Sequence, residues 1–140
     1  MGKYYYRTWE SISIGDREEF SIEMTDDLVR RFSDVIGDTD SFHISDEAAK
    51  DTVFQKRICH GAHLLSYVCV AIGQKLPGFG TIYCSHEFEF LEPVYIGDTI
   101  RVELEVLEKL DHHRLAIRTD IYRGDSSLVM KGKAVVKTYK

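Results

Sequence analysis

The stretch from about His60 to Lys75 limits the folds open to this chain more than any other. Ala62, Leu64, Leu65, Tyr67, Val68, Cys69, Val70, Ala71 and Ile72 make it apolar on almost every side. A helix of that kind is stable in water only when other structure wraps it. Leu76-Pro77-Gly78-Phe79-Gly80 ends the helix, and the residues beyond Gly80 can supply the wrapping. Thr81 to Phe90 puts Ile82, Cys84, His86, Phe88 and Phe90 on one side. Thr99 to Leu110 alternates through Ile100, Val102, Leu104 and Val106, and Arg114 to Arg123 through Leu115, Ile117, Thr119 and Ile121. Ser127 to Tyr139 sets Leu128, Met130, Gly132, Ala134 and Val136 against Val129, Lys131, Lys133, Val135 and Lys137. Gly97-Asp98, Asp111-His112-His113 and Gly124-Asp125-Ser126 are turn formers between these runs. Long period-two strands want one face covered, and the apolar helix is the cover at hand.

The first half of the chain is helical apart from one short strand. Glu19 to Met24 alternates as a strand. Thr25 reads as an N-cap followed by Asp26 and Asp27, which suit the positive end of a helix. Leu28, Val29, Phe32, Val35 and Ile36 then fall at helical spacing up to Gly37. Residues 37–44 have no period and form a loop, and Ser45-Asp46-Glu47 caps a short helix through about Lys50. An antiparallel sheet curled round one apolar helix is an α+β architecture, the hot dog fold. With 140 residues and no Pro- or Gly/Ser-rich linker, residues 1–140 are expected to form a single domain.

Eighteen Lys and Arg against 23 Asp and Glu give −5 at pH 7, which leaves no basic footprint for nucleic acid. No apolar run approaches the roughly 18 residues of a membrane span. Met1 to Arg7 carries no apolar core for secretion, and Cys59, Cys69 and Cys84 form an odd set without CxxC spacing. A cytoplasmic protein with reduced thiols is the expectation.

Two places carry candidate chemistry. Asp38 and His43 lie five apart in the loop, and a carboxylate with an imidazole can share one water as an acid–base pair. Opposite charges would keep the Asp38 carboxylate ionised and raise the His43 pKa. An Asp capping a turn beside a loop His has the same spacing, so spacing alone leaves both readings open. Ile58-Cys59-His60-Gly61 opens the apolar helix, where Gly61 either offers an unhindered N–H to an oxyanion or simply permits close packing. His60 and His63, with Asp38, Asp40 and His43, invite a metal reading, but there is no HExxH and no zinc-type Cys/His spacing. His43 stands where a calcium loop needs Gly, so no metal is expected. Glycine motifs for dinucleotides or phosphates and a GxSxG elbow are absent too.

The run Gly37-Asp38-Thr39-Asp40-Ser41-Phe42-His43 resembles the Gly-Asp-x-Asn-Pro-x-His signature of the MaoC-like dehydratases, also called (R)-specific enoyl-CoA hydratases. The resemblance continues through Ile58 to Gly61, Leu76 to Tyr83, Phe90 to Asp98 and Gly132 to Val136, in order and with nearly the same gaps. It implies a hot dog fold, a dimer whose sheets pair edge to edge, and reversible syn addition of water to the 2,3 double bond of an acyl-CoA thioester. Carried over, Asp38 and His43 become the catalytic pair, with Asp38 as base and His43 supplying or relaying the proton. Gly61 becomes the N–H donor to the thioester oxygen.

Two departures stand out. Asp40-Ser41 replaces Asn-Pro, which either puts a like charge near Asp38 and raises its pKa or caps the loop as Asn does. Cys69 stands where relatives often carry Ser, with Ser66 one turn away as a substitute. His60 completes the supporting set. Ile72, Leu76 and Phe79 are candidates for the acyl pocket, and Lys56, Arg57 and Lys75 for the coenzyme A phosphates. Coenzyme A is then a substrate handle, and no cofactor is implied. A hot dog thioesterase and a non-catalytic acyl-thioester binding domain remain as alternatives, although the apolar helix carries no acid for the former.

Overall fold

In the computed structural model, which describes residues 4–124 and 126–139, five antiparallel strands form one sheet in the order β1-β3-β4-β5-β2. The strands are β1 (Arg17–Glu23), β2 (Ile82–Phe90), β3 (Thr99–Leu110), β4 (Arg114–Arg123) and β5 (Leu128–Lys137). Helices α1 (Asp26–Ile36), α2 (Asp46–Lys50) and α3 (Gly61–Gln74) all precede β2. Asp125, expected from the sequence to lie in a turn, falls outside the described residues, as do Met1, Gly2, Lys3 and Lys140. No helix among the described residues is long and apolar enough to cross a membrane.

The period-two runs of β3, β4 and β5 become strands because residues of each join α3 in one core. Ile100, Val102, Leu104 and Val106 of β3 are buried, as are Leu115, Ile117 and Ile121 of β4 and Met130, Ala134 and Val136 of β5. Against them α3 buries Leu64, Val68, Ala71 and Ile72, and Leu76 seals the end. Gly132 is needed at its place in β5. A Cβ there would lie 2.7 Å from the Glu87 carbonyl and 2.8 Å from Thr119 Oγ1. The space it leaves holds an inward polar cluster, with His86 Nε2 2.7 Å from Thr119 Oγ1 and His86 Nδ1 in contact with the Tyr83 hydroxyl.

Three sequence expectations are corrected. Helix α3 is not wrapped on all sides within one chain, because Ala62, Cys69 and Val70 face out. It packs toward β3 and β1, so β2, at the opposite edge, is left uncovered. Every position of β2 except His86 is exposed despite the strand's apolar alternation. On α1 the buried residues are Val29 and Ser33, one turn apart, while Val35 is 84% and Ile36 53% exposed. Hydrophobic spacing identified the helix correctly but misplaced its inner face, since a serine occupies it.

Candidate active site

The end of α1 delivers Asp38. Gly37 takes the left-handed conformation at φ 80°, and two reverse bonds close the helix, Gly37 N–H to Asp34 O and Asp38 N–H to Ser33 O at 2.9 Å. This pairing is the Schellman motif. It turns the chain out of the helix with Asp38 as the first residue beyond the glycine. The Ser33 hydroxyl, fully buried, lies 3.3 Å from His60 Nε2.

Asp38, His43 and His60 come together. Asp38 Oδ2 accepts from His60 Nε2 at 2.7 Å, since a carboxylate can only accept. His43 Nδ1 lies 2.7 Å from the Ile58 carbonyl. A carbonyl also only accepts, so Nδ1 carries the hydrogen and Nε2 keeps its lone pair. One potential ligand atom from each of the three residues lies within 4.8 Å of the others. A single water with two hydrogen bonds of about 2.8 Å spans such a gap.

The electrostatics match the expectation for Asp38 and reverse it for His43. Hydrogen bonds from His60 and then Ser41 hold the Asp38 carboxyl below the usual carboxylate range. Asp40, exposed on the loop, does not raise it. His43 is shifted down rather than up, because burial outweighs both its bond to Ile58 and the pull of Asp38. The resting site therefore holds an ionised carboxylate beside a neutral imidazole with a free Nε2. His63 is buried one turn into α3, stacked on Phe32 at 4.5 Å with Nε2 2.9 Å from the Tyr67 hydroxyl. Burial and neighbouring His60 pull it down to about 4.

Asp38, His43 and His60 are the described side chains grouped closely enough to hold a cation. The His43 and His60 rings stack with centroids 3.9 Å apart and planes 26° from parallel. Lone pairs lie in the ring planes, so stacked imidazoles direct theirs side by side rather than toward one tetrahedral centre. The arrangement favours hydrogen bonding over metal coordination.

Gly61 is the first residue of α3, so its N–H has no acceptor within the helix. The Phe90 ring lies over it, and a Cβ on Gly61 would sit 2.8 Å from Phe90 Cζ. His43 and Gly61 share the wall of a cavity of about 310 Å³, lined mostly by apolar side chains that include Phe54, Leu64, Phe90 and Leu91. A wider depression of about 550 Å³ lies against β2, β4 and β5, bordered by charged side chains, and includes none of the candidate residues. Of these two cavities, the smaller is the one that touches candidate residues, His43 and Gly61.

The remaining candidates are dispersed. Ser66 spends its hydroxyl on the Ala62 carbonyl at 2.8 Å, and Cys69 is on the outward face of α3. Ile72 and Leu76 belong to the core, and Phe79 stacks on Tyr4 at 4.3 Å. None of the three lines the cavity beside His43. Lys56 Nζ lies over the Tyr95 ring at 5.9 Å, and Lys75 Nζ reaches the Glu19 carbonyl at 3.4 Å. Arg57 is not a surface cation. Its side chain is 7% exposed, with Nη2 2.6 Å from Asp26 and Nε donating to the His43 carbonyl at 2.8 Å. Ser33 and this use of Arg57 escaped the sequence reading. Neither forms a motif with Asp38 or His43, and both become visible only when α1 and the loop before α3 meet.

Comparison with known proteins agrees with the pattern. The family model described as MaoC like domain matches residues 12–122. The chain belongs to that family. A 3-hydroxybutyryl-CoA dehydratase of Methylorubrum extorquens is 32% identical, over 94% of this chain and 84% of the relative. An (R)-specific enoyl-CoA hydratase of Aeromonas caviae is 31% identical, over 91% and 96%. Among solved structures, an unliganded R-hydratase from Pseudomonas aeruginosa superposes with a TM-score of 0.91 at 31% identity, covering 96% of this chain and 87% of the other. The hot dog fold read from the sequence is the fold of this chain.

Proposed function

We propose that this MaoC-like protein is a hydro-lyase that reversibly adds water to the 2,3 double bond of an enoyl-CoA, giving an (R)-3-hydroxyacyl-CoA. One observation carries the reading: Asp38 and His43 are grouped closely enough to share one water, in a site whose apolar cavity His43 shares with Gly61, and the bond of His43 Nδ1 to Ile58 leaves the Nε2 lone pair for that water. The two hydrogens of that water point to the carboxylate and to Nε2, leaving an oxygen lone pair for Cβ of the enoyl group. As the O–Cβ bond forms, one hydrogen passes to the base and the alkene electrons move toward the thioester oxygen. The Gly61 N–H stabilises the charge that develops there. The same proton then returns to Cα from the side of the new hydroxyl, and the enolate collapses. Asp38 is the base in this step, and His43 can take part in the return only by accepting that same proton at Nε2 and passing it to Cα, because its one ring hydrogen is committed to Ile58. Coenzyme A serves as the handle of the substrate, and every step uses groups of the chain itself.

The partner in solution is a second copy of the chain. Strand β2 is an exposed edge with Ile82, Tyr83, Phe88 and Phe90 each at least 40% exposed. Such an edge favours pairing with another strand. The same contact would cover the open face of α3. Three free thiols suit a cytoplasmic setting.

The test is to add crotonyl-CoA and follow both the enoyl-thioester absorbance and free coenzyme A thiol. Loss of absorbance without thiol supports the hydro-lyase. Thiol release points instead to a thioesterase, and silence in both channels across short and branched enoyl-CoAs to a binding domain.

A further inference from the structure

We propose that buried Arg57, paired with half-exposed Asp26, is a positioning device that sets His43 against Gly61, an inference that rests on the hydro-lyase reading. Arg57 lies in the irregular segment before α3, and a buried guanidinium requires partners. It has two. Nη2 pairs with Asp26 in the first turn of α1 at 2.6 Å, and Nε donates to the backbone carbonyl of His43 at 2.8 Å. Asp26 is itself held on α1 by Arg30, whose Nε is 3.0 Å from both carboxylate oxygens. The next residue after Arg57, Ile58, accepts from His43 Nδ1 at 2.7 Å. Adjacent residues thus grip His43 twice, by its backbone and by its ring.

The geometry has a consequence for the reaction. Gly61 comes three residues after Ile58, so the segment that fixes His43 also leads into the oxyanion donor. Water attack at Cβ and charge stabilisation at the thioester oxygen occur two carbons apart on one substrate, and both sides of the site must keep that spacing. The Arg57 bond to the loop carbonyl maintains it. A simple charge-neutralising role for the pair would require no contact with His43.

Arg57→Met, Arg57→Lys and Asp26→Asn should be compared with the wild type for crotonyl-CoA hydration. Nitrogen-15 spectra should also report the His43 tautomer. A displacement of about 1 Å at a reacting group costs on the order of 100-fold in rate. Arg57→Met is expected to lose roughly 10- to 100-fold in kcat with KM little changed, and the fixed Nδ1–H tautomer should become a mixture. Guanidinium at sub-denaturing concentration should restore part of the loss. Arg57→Lys should fall between, and Asp26→Asn, at a half-exposed position that tolerates change, decides the matter if Arg57→Met does not fold. A kcat within a few-fold of wild type in folded variants, a loss confined to KM, or an unchanged tautomer overturns the proposal. If the wild type itself does not hydrate the substrate, the hydro-lyase reading fails, while the tautomer still shows whether Arg57 holds His43.

Discussion

Replacing Gly61 with proline isolates the one interaction that the reaction asks of the backbone. Proline has no N–H, yet the position suits it. His60 sits at φ −61°, ψ 135°, the extended region required of a residue before proline, and proline is well accommodated as the first residue of a helix. The added carbons meet Phe90, because even a Cβ would lie 2.8 Å from its ring, against an ordinary carbon contact of about 3.5–4.0 Å. The ring must move by roughly 1 Å, and Phe90 is the last residue of β2, where the strand ends. Gly61→Ala imposes the same displacement while keeping the N–H, so the ratio of the two variants reports the hydrogen bond. Removal of one oxyanion donor lowers kcat by about 10²–10³, or about 3–4 kcal/mol of transition-state stabilisation. Both variants would be assayed by crotonyl-CoA hydration, with circular dichroism to confirm folding. A proline variant that turns over within a few-fold of the alanine variant would refute the assignment of Gly61.

Three other substitutions probe the site and its support. His60→Leu removes the largest influence holding the Asp38 carboxyl down, so the Asp38 pKa should rise and the acidic limb of kcat/KM should move to higher pH. A limb that stays in place would mean that the limb belongs to another group. Gly37→Ala places a side chain at φ 80° with nothing within 4 Å of its Cβ, so the cost is backbone strain alone, about 1–2 kcal/mol, read as a lower urea midpoint. His63 is pulled from its ordinary 6.5 to about 4 in the folded chain, so the unfolded chain takes up a proton first on acidification. Stability from this residue is full above pH 6.5 and falls toward pH 4, by up to about 3 kcal/mol. His63→Leu should flatten that part of the pH–stability curve, though not all of it, since burial also lowers His43 and His86.

How much of the molecule was legible in its sequence depends on the range of the interaction concerned. The expected runs Thr99 to Leu110 and Arg114 to Arg123 coincide with β3 and β4, and Thr25 and Ser45 are the expected helix caps. Those features are local, set by period and by side chains that bond their own backbone. The inner face of α1 was not legible, because Ser33 is buried there for the sake of His60 while Val35 and Ile36 face out. The spacing of Asp38 and His43 pointed to a pair, but the direct hydrogen bond of Asp38 is to His60, brought in from another segment. The direction of the His43 shift was missed because spacing reveals the attracting charge and not the burial that overcomes it. Arg57 read as a candidate for the coenzyme A phosphates, since nothing in its neighbours indicates that Asp26 lies opposite. The exposure of β2 was likewise invisible, because its alternation describes a strand covered on one face and this chain alone does not cover it.

The measurement that tests the central claim most directly is crotonyl-CoA hydration by Asp38→Asn and His43→Ala beside the wild type. Removal of a group that handles the transferred proton costs about 10²–10⁴-fold. Each variant should lose kcat by that order, with folding retained. The double variant should be little worse than the poorer single one, since both act on one water. Hydration by either single variant at a rate within a few-fold of wild type would contradict the claim that these two side chains hold and activate the water.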